Sequence, residues 1–350
     1  AAGGEKPCCK TGKSGFGDDV HDVFHAHGFI KRVGHGPALP GCCMTAYKGE
    51  NLTEAYMEEA VTFKSGDLNI SGVVHIPDDM AAGERRPAII VLHGFGSRKN
   101  AGNVTGPAAM FSRWGYVVLR FDMRGCGDSD GLFGHLMCLD QVEDTRAALT
   151  SLQSRPEVDA DRIGLVGSSF GAAVAVYTGG VDDRVAAVIS SGGWGNGERK
   201  FRGQHPTPEM WDAFTKMLAE GKKHRQETGE PLFVDRYAIV PIPEHLRGNM
   251  PSGSVLQFTA DTAQGMMDFT AEDVIGNIAP RPVLLLHSSV DSVTPTEQSV
   301  EMFKRAGQPT DLHLTADTDH FMMAESNTRV INIIQDWLAR YFPVNATTDA

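Results

Sequence analysis

The sequence predicts an α/β protein built on a mostly parallel sheet flanked by helices, with a helical lid inserted late in the sheet and an N-terminal extension. Three observations carry that prediction. Short apolar runs rich in Val, Ile and Leu recur along the chain, as strands buried on both faces require. Helical patterns alternate with them, which implies right-handed crossovers between parallel strands. One run, Ile163-Gly164-Leu165-Val166, feeds directly into Gly167-Ser168-Ser169-Phe170-Gly171, and a helical stretch from Ala172 to Tyr177 follows.

Residues 58–76 read as a hairpin: Ala60-Val61-Thr62-Phe63, a turn through Lys64-Ser65-Gly66-Asp67, then Leu68 to Ile76. Ala88-Ile89-Ile90-Val91-Leu92 is the next strand, followed by a helix near Ala108–Trp114. Tyr116 to Phe121 is another strand. Leu139 to Leu152 forms an amphipathic helix, with Val142, Leu149 and Leu152 on one side. The strand ending at Gly167 comes next, then Val185 to Ser190. Pro282 to His287 and Asp311 to Leu314 are the last strands, and Thr328 to Tyr341 is a final amphipathic helix.

Between Ser190 and Pro282 lie about ninety residues, far more than a crossover needs, and an excursion of that length is usually functional. Thr207-Pro208 opens a helix there, and Gly221 is expected to end it. Met210, Trp211, Phe214, Met217 and Leu218 give it one apolar face, and Met250, Met266, Met267 and Phe269 add soft groups further on. The expected organisation is an extension over residues 1–53, a core over 54–193 and 276–343, and a lid over 194–275.

Gly-x-Ser-x-Gly alone is weak, because a chain with 39 glycines holds one by accident roughly one time in five. Its placement between strand and helix makes it the signature of a nucleophile on a sharp turn. Ser169 has Gly167 and Gly171 two residues to either side, whereas Ser168 has Val166 and Phe170, so Ser169 is the candidate nucleophile. A serine hydroxyl needs an imidazole to take its proton and a carboxylate to orient that imidazole. Asp291, in the loop after the Pro282 strand, and His320, after the last strand, supply them in the chain order such a sheet requires. Asp317 and Asp319 are read as turn-shaping residues, and His287 and His313 as strand residues rather than the base. Two N–H groups are needed for the oxyanion. Phe170 follows the nucleophile, and Phe95 lies in the His93-Gly94-Phe95-Gly96 loop after an earlier strand.

These motifs, with Phe121-Asp122-Met123-Arg124-Gly125-Cys126-Gly127-Asp128-Ser129 between them, resemble the α/β-hydrolase superfamily over roughly residues 55 to 342. Bacterial esterase and serine-aminopeptidase-like members, cinnamoyl-esterase-type enzymes among them, are similar. The resemblance implies the α/β-hydrolase fold, and it implies that Arg124 and Asp128 brace the site rather than react.

The formal net charge of −12 and pI of about 5.5 argue against an electrostatic grip on nucleic acid. No apolar run approaches the ~20 residues of a membrane span. The expected protein is soluble, either cytoplasmic or exported after processing. No cofactor is implied, and Thr11-Gly12-Lys13-Ser14 lacks the earlier glycine and the strand of a phosphate-binding loop. Cys8-Cys9 and Cys42-Cys43, with His21, His25, His27 and His35 between, admit a zinc site, disulfides or free thiols.

The chemistry points to a serine hydrolase of carboxylic esters with short-chain or aromatic acyl groups, acting on a small molecule. Trp194, Trp211, Met266 and Met267 are the expected pocket residues, and no metal is expected in the site. An amidase or aminopeptidase-like enzyme is the alternative, for which Glu220, Glu227, Glu230, Asp235 and Glu244 would have to gather around a free amine. A non-catalytic binding protein on the same fold is a third.

Overall fold

The computed structural model describes residues 55–345, except 249 and 251. The N-terminal extension and its four cysteines therefore lie outside the described residues. Among those described, no helix is long and apolar enough to cross a membrane.

The chain opens with β1 (Tyr56–Ser65) and β2 (Leu68–Pro77), an antiparallel pair in which Ser65 faces Leu68. Gly66, at φ +58°, makes the connecting turn two residues long. Strand β3 (Arg86–Leu92), helix α1 (Gly102–Arg113), strand β4 (Val117–Phe121) and helix α2 (Cys138–Gln153) follow. Helix α1 begins six positions earlier than expected. Gly102, Gly106 and Pro107 suggest a loop by propensity, but burial of Val104 and Pro107 against the sheet overrides that preference. Strand β5 (Val158–Ser168), helix α3 (Phe170–Val181) and strand β6 (Val185–Ser191) complete the first part of the sheet.

The excursion after β6 contains α4 (Gly197–Gln204), α5 (Pro208–Thr228), β7 (Phe233–Asp235), α6 (Arg236–Ile239), α7 (Glu244–Arg247), β8 (Gln257–Thr259) and α8 (Ala260–Met267). Then come β9 (Val283–Ser288), α9 (Glu297–Arg305), β10 (Thr310–Thr315) and α10 (Thr328–Tyr341). The main sheet runs β1-β2-β4-β3-β5-β6-β9-β10, parallel from β4 onward, while β7 and β8 form a separate antiparallel pair. Alternation along β3 splits the core. Ile90 and Leu92 join the cluster with α2 and α3, and Ile89 and Val91 join the cluster with α1 and α10.

Gly221 does not end its helix. Helix α5 continues to Thr228, and Gly229 at φ +79° caps it. Gly221 is buried in the helix interior, where a Cβ would overlap the Cβ of Ala260 on α8. The glycine permits close helix approach, a tertiary demand that mimics a stop signal in sequence. Replacing it with alanine should lower stability by about 1–3 kcal/mol through overpacking, and adding Ala260→Gly should recover most of that loss. Chemical denaturation of the single and double variants measures both effects.

Candidate active site

The site forms where β3, β5, β6, β9 and β10 end. Strand β5 delivers its chain into a turn so tight that a Cβ on Gly167 would overlap the Gly171 carbonyl. A Cβ on Gly171 would lie only 2.5 Å from the Leu92 carbonyl oxygen. Between them Ser169 is held at φ +56°, ψ −113°, a backbone state that costs a non-glycine residue ~1–3 kcal/mol. Its N–H donates to the Ser191 carbonyl at 2.8 Å, which pins the turn to β6.

Ser169 Oγ lies 2.8 Å from His320 Nε2. On the other side of the ring, His320 Nδ1 lies 2.8 Å from Asp291 Oδ2 and 3.1 Å from Oδ1. The Asp291 carboxylate has no exposed side-chain surface. Its Oδ1 accepts the N–H groups of Val293 and Thr294 at 2.8 and 2.7 Å, and His287 Nε2 lies 3.3 Å from Oδ2. Burial alone would raise the pKa of this acid. The His320 charge and the bonds from His287 and His320 outweigh it and hold the carboxyl well below the usual range.

Asp319 joins the two loops. Its Oδ1 accepts from Ser292 N–H at 2.9 Å and His320 N–H at 2.7 Å, and its Oδ2 accepts from Ser292 Oγ at 2.7 Å. Asp317 takes φ +60° in the same turn. His287 bonds Ser299 Oγ and the Thr294 carbonyl from within β9, and it also touches Asp291, a contact its place in an apolar run gave no sign of. His313 lies on β10 away from these groups.

The loop after β3 packs against Ser169, where a Cβ on Gly94 would lie 3.7 Å from the Ser169 Cβ. The N–H of Phe170 opens α3, that of Phe95 lies in the β3 loop, and no backbone hydrogen bond engages either among the described residues. Two side chains brace this loop. His93, whose pKa burial lowers, places Nδ1 2.8 Å from the Gly94 carbonyl and accepts the Met123 N–H on Nε2 at 3.1 Å. Arg236, from the insertion, donates to the Phe95 carbonyl at 2.7 Å and the Val255 carbonyl at 3.0 Å. Arg124 is tied to Asp144, and Asp128 to Lys99 with Asp122, in the frame behind the loop.

Ser169, His320 and Phe95 open onto a cavity of about 40 Å³, lined also by Trp194, Lys200, Gln204, Arg236, Ile242 and Met266. Trp194 and Met266 thus lie where the sequence suggested. Trp211 and Met267 do not. Helix α5 turns Phe214 and Leu218 inward, which leaves Trp211 at the edge under the Arg202 guanidinium, 4.2 Å from its ring centroid. Met267 neighbours Met266 on α8 and so points elsewhere, into packing against the main core. The acids Glu220, Glu227, Glu230, Asp235 and Glu244 are all exposed and contribute nothing to the cavity. Lys200 and Arg236 went unnoticed in sequence, because each reads as an ordinary surface cation on a polar helix. Burial pulls the Lys200 ammonium down to about 7.

A parallel sheet with this strand order, carrying a serine on a strained turn with a histidine and an acid past later strands, defines an α/β-hydrolase. The chain belongs to the family described as serine aminopeptidase, S33, whose model matches residues 83–327. It is 27% identical over 311 residues to the quorum-quenching protein AidA of Acinetobacter baumannii, covering 84% of this chain and 98% of that one. It is 26% identical to the acyltransferase drtE of Aspergillus calidoustus, covering 70% and 83%. Among solved structures, Est1E from Butyrivibrio proteoclasticus with ferulic acid bound shares the fold at a TM-score of 0.59 and 16% identity, covering 81% of this chain and 99% of that one.

Because the Asp291 pKa is depressed on folding, its contribution to stability is present above the unfolded value of ~3.9 and is lost as pH falls through the folded value. Asp291→Asn should therefore flatten the acid limb of stability against pH below ~4. Denaturant titrations from pH 6 to 2 check this.

Proposed function

We propose that the chain hydrolyses carboxylic esters with short-chain or aromatic acyl groups through an acyl-enzyme. The observation that carries this reading is the unbroken line from Ser169 Oγ through His320 to Asp291, with both contacts at 2.8 Å. Ser169 Oγ attacks the ester carbonyl carbon while its proton passes to His320 Nε2. The oxyanion is received by the Phe95 and Phe170 N–H groups, each such donor contributing about 3 kcal/mol in acyl transfer. The tetrahedral adduct collapses, the ester C–O bond breaks, and His320 returns the proton to the departing alkoxide. Water then attacks the acyl-serine with His320 again as base, and Asp291 holds the Nδ1–H throughout.

The alternative, an amidase or aminopeptidase-like activity, draws on the family description. Against it stands the composition of the cavity. No carboxylate lines it among the described residues, so nothing there would receive a free α-amine. The relative called an acyltransferase supports a reaction that passes through an acyl-enzyme. A side-by-side panel of aryl esters, anilides and aminoacyl substrates orders these readings, with faster amide turnover reversing the preference.

Ser169→Ala should lower kcat on a responsive ester by roughly 10⁴-fold or more with folding intact, and a fluorophosphonate should label Ser169 in the native protein. Near-wild-type turnover by the variant would remove the assignment. Failure of folded protein to label would favour a non-catalytic binding protein. On nitrophenyl esters the bulky lining of Phe95, Trp194 and Met266 predicts rates that fall beyond about eight acyl carbons, whereas a maximum at twelve or more would contradict it.

A further inference from the structure

The cavity beside Ser169 carries an unbalanced positive charge. Lys200 is 2% exposed, Arg236 is 6% exposed, and both line it. The Lys200 ammonium makes one hydrogen bond, to Gln204 Oε1 at 2.9 Å, and otherwise stands over the rings of Phe201 and Trp194, 3.9 and 4.9 Å from their centroids. Gln204 is itself held by a bond to the Val293 carbonyl, which fixes its oxygen toward the lysine. The Arg236 guanidinium donates to two backbone carbonyls and lies over the faces of Phe95 and Phe258, while its Nε has no hydrogen-bond partner among the described residues. No carboxylate among the described residues pairs with either cation, although the chain as a whole carries a formal charge of −12.

A second observation points the same way. The indole Nε1–H of Trp194, buried and lining the same cavity, has no partner among the described residues. A buried donor left unpaired costs about 1–3 kcal/mol, and a buried unpaired charge costs more. Two such groups beside one reacting serine form a receptor lacking its acceptor. Both donors are buried, so an anion entering there would gain charge-assisted hydrogen bonds of more than ordinary strength.

We propose that the substrate ester carries a carboxylate, which the Lys200 ammonium and the Trp194 indole N–H receive inside the cavity. The substrate class is thus a half-ester of a dicarboxylic acid, or an ester whose alcohol half bears a carboxylate. This inference builds on the serine-hydrolase reading, but the receptor itself can be measured without turnover.

The test has a kinetic and a binding arm. In the first, kcat/KM is compared within two pairs at low ionic strength: 4-nitrophenyl hemiglutarate against 4-nitrophenyl pentanoate, and 4-carboxyphenyl butanoate against 4-methylphenyl butanoate. The carboxylate member of at least one pair should be favoured tenfold or more, and Lys200→Met should reduce that ratio at least tenfold. Trp194→Phe keeps the ring, removes the donor and should reduce the ratio about threefold, so it carries the test if the lysine variant does not fold. No preference in either pair, or a preference unchanged in both variants, overturns the proposal. In the second arm, Ser169→Ala protein is titrated with glutarate by calorimetry. Saturable binding that is lost on adding Lys200→Met supports the receptor even if no ester turns over, an outcome that would count against the hydrolase reading alone. Where no ester turns over, absence of glutarate binding defeats it.

Discussion

The site depends on the strained turn at Ser169. A residue with a side chain is held at positive φ because its surroundings allow nothing else. The carbonyls ending β3 press on Gly171, Gly167 presses on Gly171 from the other side, and Ser191 accepts the serine N–H. That confinement has three consequences. It puts Ser169 Oγ 2.8 Å from His320 Nε2, it starts α3 at Phe170, and it brings the β3 loop alongside. The cost of the turn, on the order of 1–3 kcal/mol, is met by the fully buried contacts of α3 against the sheet, where Ala172 to Val176 have no exposed surface.

The second constraint is a buried carboxylate. Asp291 remains charged without exposed side-chain surface because two backbone N–H groups, His287 and His320 surround it. A geometry this saturated can be held only by fixed loops, and Asp319 fixes them by binding the Asp291 loop and the His320 backbone with one carboxylate. Asp291 and Asp319 thus divide the work. One orients the imidazole through its ring, and the other holds the main chain that carries it.

The sheet was legible in the sequence because strands buried on both faces read as continuous apolar runs. The runs at Ala88, Tyr116, Ile163, Val185 and Pro282 announced their strands for that reason. Ser169, Asp291 and His320 were legible because the chemistry demands three residue types in one order past those ends. The insertion was not legible to the same degree. Whether Trp211 faces the cavity depends on which side α5 presents to α8. Gly221, which governs that approach, looks in sequence like the end of a helix. Lys200 and Arg236 were invisible for a related reason: a cation's burial is decided by segments distant in the chain, and no local pattern encodes it.

The insertion does more than cover the cavity. Arg236 binds the carbonyl of Phe95, which lines the cavity beside Ser169, and Phe258 stacks on the Phe95 ring at 4.0 Å between centroids. Val255 N–H also donates to the Gly96 carbonyl at 2.8 Å. The segment that shapes the pocket therefore also sets the orientation of the Phe95 peptide.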